Sequence, residues 1–61
     1  MKTSKAIKLL NVFEKKAAKK LNTDAMKYIE IIRLKIFNLA LKGEELNELQ
    51  ANAILRIKDR I

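Results

Sequence analysis

The chain has 61 residues, with 14 Lys and Arg against 7 Asp and Glu, and a formal net charge of +7. It contains no Cys and no His, which excludes disulfides, thiolate metal sites, the commonest neutral metal ligand and the one side chain that ordinarily titrates near pH 7. A chain this short forms one small domain that buries only about 60% of its unfolded surface, so a second copy of the chain is the expected staple.

With no Pro and a single Gly, Gly43, the composition favours long helices and argues against hairpins. The fold class expected is all-α: an amphipathic first helix followed by a helical hairpin, its core completed as a homodimeric helical bundle. The first helix is predicted over about residues 4–21, with Thr3 or Ser4 as its cap. Ala6, Leu9, Leu10, Phe13, Ala17 and Leu21 recur at 3.6-residue spacing and mark the buried arc. Lys8, Lys15, Lys16 and Lys19 fall on the opposite side, with Val12 as the only apolar intruder.

Asn22-Thr23-Asp24 is a cap cluster, because these side chains accept hydrogen bonds from first-turn N–H groups and Asp24 suits the positive end of the dipole. The second helix is therefore expected over about 24–42, with Gly43 following where a left-handed residue is wanted. Ala25, Tyr28, Ile29, Ile32, Ile36, Leu39 and Ala40 form a broad apolar face. Met26, Leu34, Phe37 and Leu41 form a second, set off by Arg33. A helix apolar around most of its circumference is buried on more than one side, and two partner helices of this length cover one face. The second face is assigned first to self-association, with wrapping by the first and third helices together or docking on another protein as the alternatives.

Asn47 and Gln50 have capping-box spacing, with Leu46 and Ala51 placed as a hydrophobic staple. The third helix is expected over about 47–61, burying Leu49, Ala53, Ile54, Ile57 and Ile61, with Gly43–Leu46 as the turn.

Catalytic chemistry finds little support. Ser4, the only serine, lies near a terminus expected to fray and has no His to activate it. Tyr28 reads as core. Glu44, Glu45 and Glu48 cluster at the turn, but lack the spacing of a calcium loop and read as solvated partners of a helix start. One Gly cannot make a phosphate-binding loop. No enzyme activity, cofactor, metal or small-molecule substrate is expected. Met1–Phe13 resembles a signal peptide only superficially, since Lys8 interrupts its apolar run and Glu14–Lys20 follows it. Mid-chain, the uncharged stretch Ile36–Leu41 is far short of the ~20 residues a membrane span needs. A soluble, cytoplasmic protein is the expectation.

Charge is polarised. Residues 1–21 carry seven lysines against Glu14 alone, residues 22–42 a balance of +2, and residues 43–61 a balance of −1. A one-sided basic helix suits nucleic acid, whose phosphates attract clustered Lys and release counterions. Lys5, Lys8, Lys15, Lys16, Lys19 and Lys20 are the candidate contacts. Eleven Lys against three Arg, with no Arg in the first helix, point to backbone contacts rather than base reading. The helices are also too long, and the Gly43 connection too loose, for a helix-turn-helix. A lysine face that is only solvating surface is the bland reading. An acidic protein partner is a further one, and a membrane surface ranks behind these because the helix offers only Phe13 as an aromatic anchor.

Overall fold

Three helices account for most of the chain: α1 (Thr3–Lys19), α2 (Thr23–Leu41) and α3 (Glu48–Arg60), with no strand. The computed structural model describes all of residues 1–61. At 1.5 Å rise per residue the 19 residues of α2 extend about 28 Å, most of the 34 Å long axis of the molecule. It is the spine against which α1 packs most extensively. Ala6, Leu10, Phe13 and Ala17 of α1 meet Ala25, Ile29, Ile32 and Ile36 of α2 and Ile54 and Ile57 of α3 in one buried cluster.

The caps predicted for α2 and α3 are in place. Asn22 Oδ1 accepts from the Ala25 N–H at 3.1 Å, opening α2. Asn47 and Gln50 form the reciprocal capping box of α3, the Gln50 N–H donating to Asn47 Oδ1 at 2.8 Å and the Asn47 N–H to Gln50 Oε1 at 2.9 Å. After α2 the chain turns through Gly43 at φ 71, with the Glu44 N–H donating to the Leu39 carbonyl at 2.9 Å and the Gly43 N–H to Ala40 at 3.1 Å. That pair of bonds is a Schellman closure.

The same closure ends α1, and there the expected boundary and the expected core both shift. Asn22 N–H donates to the Ala17 carbonyl at 2.9 Å and Leu21 N–H to Ala18 at 3.1 Å, with Leu21 itself left-handed at φ 54. The helix therefore stops at Lys19 rather than 21, and Leu21, expected on the buried arc, is 84% exposed. A 3.6-residue period extrapolated past the last helical residue points the wrong way once φ changes sign.

Two further expectations are corrected at the other turn. Leu49 is 81% exposed rather than buried, because from Ile54 five residues back is about 140° around the helix. Leu46, arriving from the turn, enters the core in its place and is 5% exposed. Ala40, assigned to the broad face of α2, is exposed as well.

The N-terminus is tied rather than frayed. Neither Thr3 nor Ser4 caps α1: the cap position is Lys2, extended and without a side-chain bond. Instead Met1 pairs with the α2–α3 turn, its ammonium donating to the Leu46 carbonyl at 3.1 Å while the Leu46 N–H donates to the Met1 carbonyl at 2.9 Å. This pairing satisfies the Leu46 backbone beside the core.

Candidate nucleic-acid interface

The lysines of α1 occupy the side turned from the core. Lys5, Lys8, Lys15, Lys16 and Lys19 are all exposed, and from Lys5 to Lys19 the strip runs about 21 Å along the helix axis. Val12, 49% exposed, lies among them. Neither of the two ion pairs in the protein involves a lysine, so no carboxylate neutralises this face.

The reason lies in where Glu14 points. Glu14, the single acid of α1, leaves the lysine side and accepts from Arg33 Nη1 of α2 at 2.9 Å. The same nitrogen donates to Glu30 Oε1 at 2.8 Å, and Nη2 donates to Asn11 Oδ1 at 3.0 Å. Arg33, with 17% of its side chain exposed, thus gathers three acceptors from two helices at the α1–α2 seam. Asn11, the residue of α1 best suited to reading a base edge, is engaged in the seam as well. In the sequence Arg33 stands only as a separator of two apolar faces. The i,i+3 spacing of Glu30 and Arg33 was the available hint; the link to Glu14 and Asn11 needs the packing of α1 on α2.

Lys20 stands apart from the strip. Its Nζ donates to the Ile61 carbonyl at 2.9 Å, and the neighbouring Asn22 Nδ2 donates to the Arg60 carbonyl at 3.1 Å. Two side chains of the α1–α2 turn therefore satisfy carbonyls at the end of α3, which carries no cap signal of its own.

On α2 the second apolar face is open. Leu34, Phe37 and Leu41 are 63%, 46% and 86% exposed and share one edge at i, i+3 and i+7. Met26 is half-buried and packs against the core cluster. Helices α1 and α3 do not wrap this stripe. Other exposed apolar side chains flank a groove between α2 and α3, which no sequence pattern reveals, because it depends on how far apart the two helices sit.

Glu44, Glu45 and Glu48, clustered in sequence, do not come together as a group able to hold a metal ion. No helix is long and apolar enough to cross a membrane. No family model matches the chain, and no curated protein or solved structure is significantly similar to it, so a functional reading rests on its own residues.

Proposed function

We propose that this protein is a non-catalytic helical module that binds nucleic acid through the lysine face of α1, acting as a homodimer. The observation that carries the reading is the uncompensated charge: five exposed lysines on one side of α1, none paired with a carboxylate, and the one acid of that helix turned into the seam. Lys8, Lys15, Lys16 and Lys19 are the phosphate contacts, with Lys5 and Lys20 at the margins. Contacts of this kind are sequence-independent, since ammonium groups meet phosphate oxygens and no Arg reaches from α1 to a base edge. Duplex is favoured over single strands, which are held by stacking bases on aromatic rings. Phe13 is buried, and Tyr28 and Phe37 belong to α2.

Self-association through Leu34, Phe37 and Leu41, with Met26 at the margin, completes the proposal. Exposed apolar side chains in a row mark association surfaces. A dimer presents two lysine faces and about doubles the field acting on a polyanion. A cytoplasmic location accords with this reading.

The test is binding of the full chain to a mixed-sequence duplex across a salt series. With four or five phosphates contacted per protomer, log K falls against log salt with a slope of about −4 per protomer. Replacing Lys15, Lys16 and Lys19 with Glu abolishes binding and leaves helicity intact. Binding that survives those changes with the same salt slope refutes the assignment to α1.

A second reading is favoured by the α2 stripe. There the protein is an adaptor or inhibitor that docks Leu34, Phe37 and Leu41 on another protein, and the lysines only steer encounter.

A further inference from the structure

We propose that the groove between α2 and α3 is a docking site for an amphipathic helix with acidic flanks, contributed by a protein partner and distinct from the α1 lysine face. The groove encloses about 270 Å³, and nine of its eleven lining residues are apolar. Its floor is made by Ile32, Ile36 and Ile54, and its walls include Ile31, Leu39 and Leu49. Along α2 the lining runs from Tyr28 to Leu39, about 16 Å, the length of three helical turns. Helices recognised in grooves present anchors at i, i+3 or i+4, and i+7, about 10 Å of axis, which the groove accommodates with a further turn to spare.

Charge along the α2 edge of the groove is mainly positive, with Asp24 as its one acid. Lys35 is the only charged residue of the lining, and no ion pair engages it. Helical spacing puts Lys27, Ile31, Lys35 and Lys42 along one edge of α2. On α3 the stripe Leu49, Ala53, Arg56 and Arg60 runs at i, i+4, i+7 and i+11, and its first two members line the groove. Arg60 lies beyond one end, beside Asp24, its guanidinium 4.4 Å from the centre of the Tyr28 ring. The acids of α3 fall elsewhere, Glu48 and Asp59 sharing with Asn52 and Leu55 a stripe about 100° around the helix from that of Leu49. An apolar channel edged by Lys27, Lys35, Lys42, Arg56 and Arg60 is complementary to a helix bearing Leu-type anchors between rows of Glu or Asp.

The same charges argue against the other occupants. A second copy of a chain with net charge +7 brings few acids to a basic edge. A free alkyl chain calls for enclosure, whereas Leu49 and Ile31 stand 81% and 54% exposed at the walls.

The experiment uses the full chain, isotope-labelled, titrated with a synthetic helical peptide of about four turns that carries Leu anchors at i, i+3 and i+7 and Glu on both flanks. Amide shifts gathered on Ile31, Lys35, Leu49 and Ala53 are expected, with affinity lost about tenfold in each of Ile31→Gln, Leu49→Gln and Lys35→Glu. These side chains are exposed, so the variants keep their helicity, and their duplex binding through α1 is unchanged. Shifts confined to the α1 lysines overturn the proposal, as does equal binding of the same peptide with Lys in place of Glu. Occupation by dodecanoate without response to the peptide assigns the groove to an alkyl ligand. Conversion of a dimer to a monomer by Leu49→Gln assigns it to a second copy. Either result overturns the helix-docking proposal.

Discussion

Asn22 and Arg60 are joined across the fold: the Asn22 side-chain amide donates to the Arg60 carbonyl at 3.1 Å, although the residues are 38 positions apart. The same amide's oxygen caps α2 through the Ala25 N–H. One short side chain thus starts one helix and finishes another, and Lys20 adds a second bond to the Ile61 carbonyl. The α1–α2 turn is in this way a clasp on the end of α3 and more than a connection between its own helices.

Replacing Asn22 with Ala removes both bonds and is expected to cost about 1.5–3 kcal/mol, more than the ~1 kcal/mol of an isolated cap. Asn47→Ala, which removes only the α3 cap, supplies that comparison in the same protein. Asn22→Asp keeps an acceptor for the cap but has no donor for Arg60, so its stability falls between wild type and Asn22→Ala. Urea unfolding of the four proteins checks the order, and equal losses in the Asp and Ala variants would falsify the clasp.

Leu21 sits left-handed at φ 54, where a side chain costs about 1–2 kcal/mol and glycine nearly nothing. Its side chain is exposed, so Leu21→Gly forfeits little packing but adds some freedom to the unfolded chain. The balance is a gain of about 0.5–1 kcal/mol. Gly43→Ala is the mirror experiment: a Cβ there meets nothing within 4 Å, yet φ of +71 predicts a loss of about 1 kcal/mol. Urea midpoints that move in opposite directions, with unchanged slope, are the expected outcome.

Arg33→Ala leaves Glu14 and Asn11 without their partner at the α1–α2 seam and is expected to destabilise by about 1–3 kcal/mol. Glu30 contributes little to that figure, being 62% exposed. Arg33→Lys recovers only part of the loss, because one ammonium on a flexible stem cannot hold three acceptors in the guanidinium's fixed fork. A double-mutant cycle with Glu14→Ala measures the coupling, and a cycle that closes near zero refutes the role given to the pair.

Phe37→Asp with Leu41→Asp separates self-association from docking on another protein. Both side chains are exposed in the single chain, so the helices persist in circular dichroism. For a homodimer, sedimentation shifts from dimer to monomer and duplex affinity falls with the loss of the second lysine face. For an adaptor, the parent chain is already monomeric and duplex binding is unaltered.

Local chemistry made the helices legible. The cap clusters at Asn22 and Asn47, the glycine at 43 and the apolar arcs of Ala6–Ala17 and Ala25–Ile36 each act within a few residues, and each appears where periodicity and capping put it. The lysine side of α1 was legible for the same reason. Leu21 falls off its arc because a side chain beyond a helix end obeys the turn rather than the period, and Leu49 because it stands about 140° from Ile54 around α3. The ties of Met1 to Leu46, Asn22 to Arg60 and Arg33 to Glu14 join residues 45, 38 and 19 positions apart, and no local pattern encodes them. The groove is a property of the gap between two helices, so it existed for the sequence only as apolar and basic residues without an address.

Both turns of the molecule are fastened, one by Met1 on Leu46 and the other by Asn22 and Lys20 on the last residues of α3. Neither turn is free to mould itself to a partner, so the recognition proposed for this protein is of the rigid-body kind, with the backbone shape fixed before encounter. On the proposed nucleic-acid reading, adjustment is left to the lysine stems, whose many rotamers can follow phosphates at uneven intervals along a polyanion. A surface used in that way would give up selectivity among sequences and in return tolerate many of them at little conformational cost.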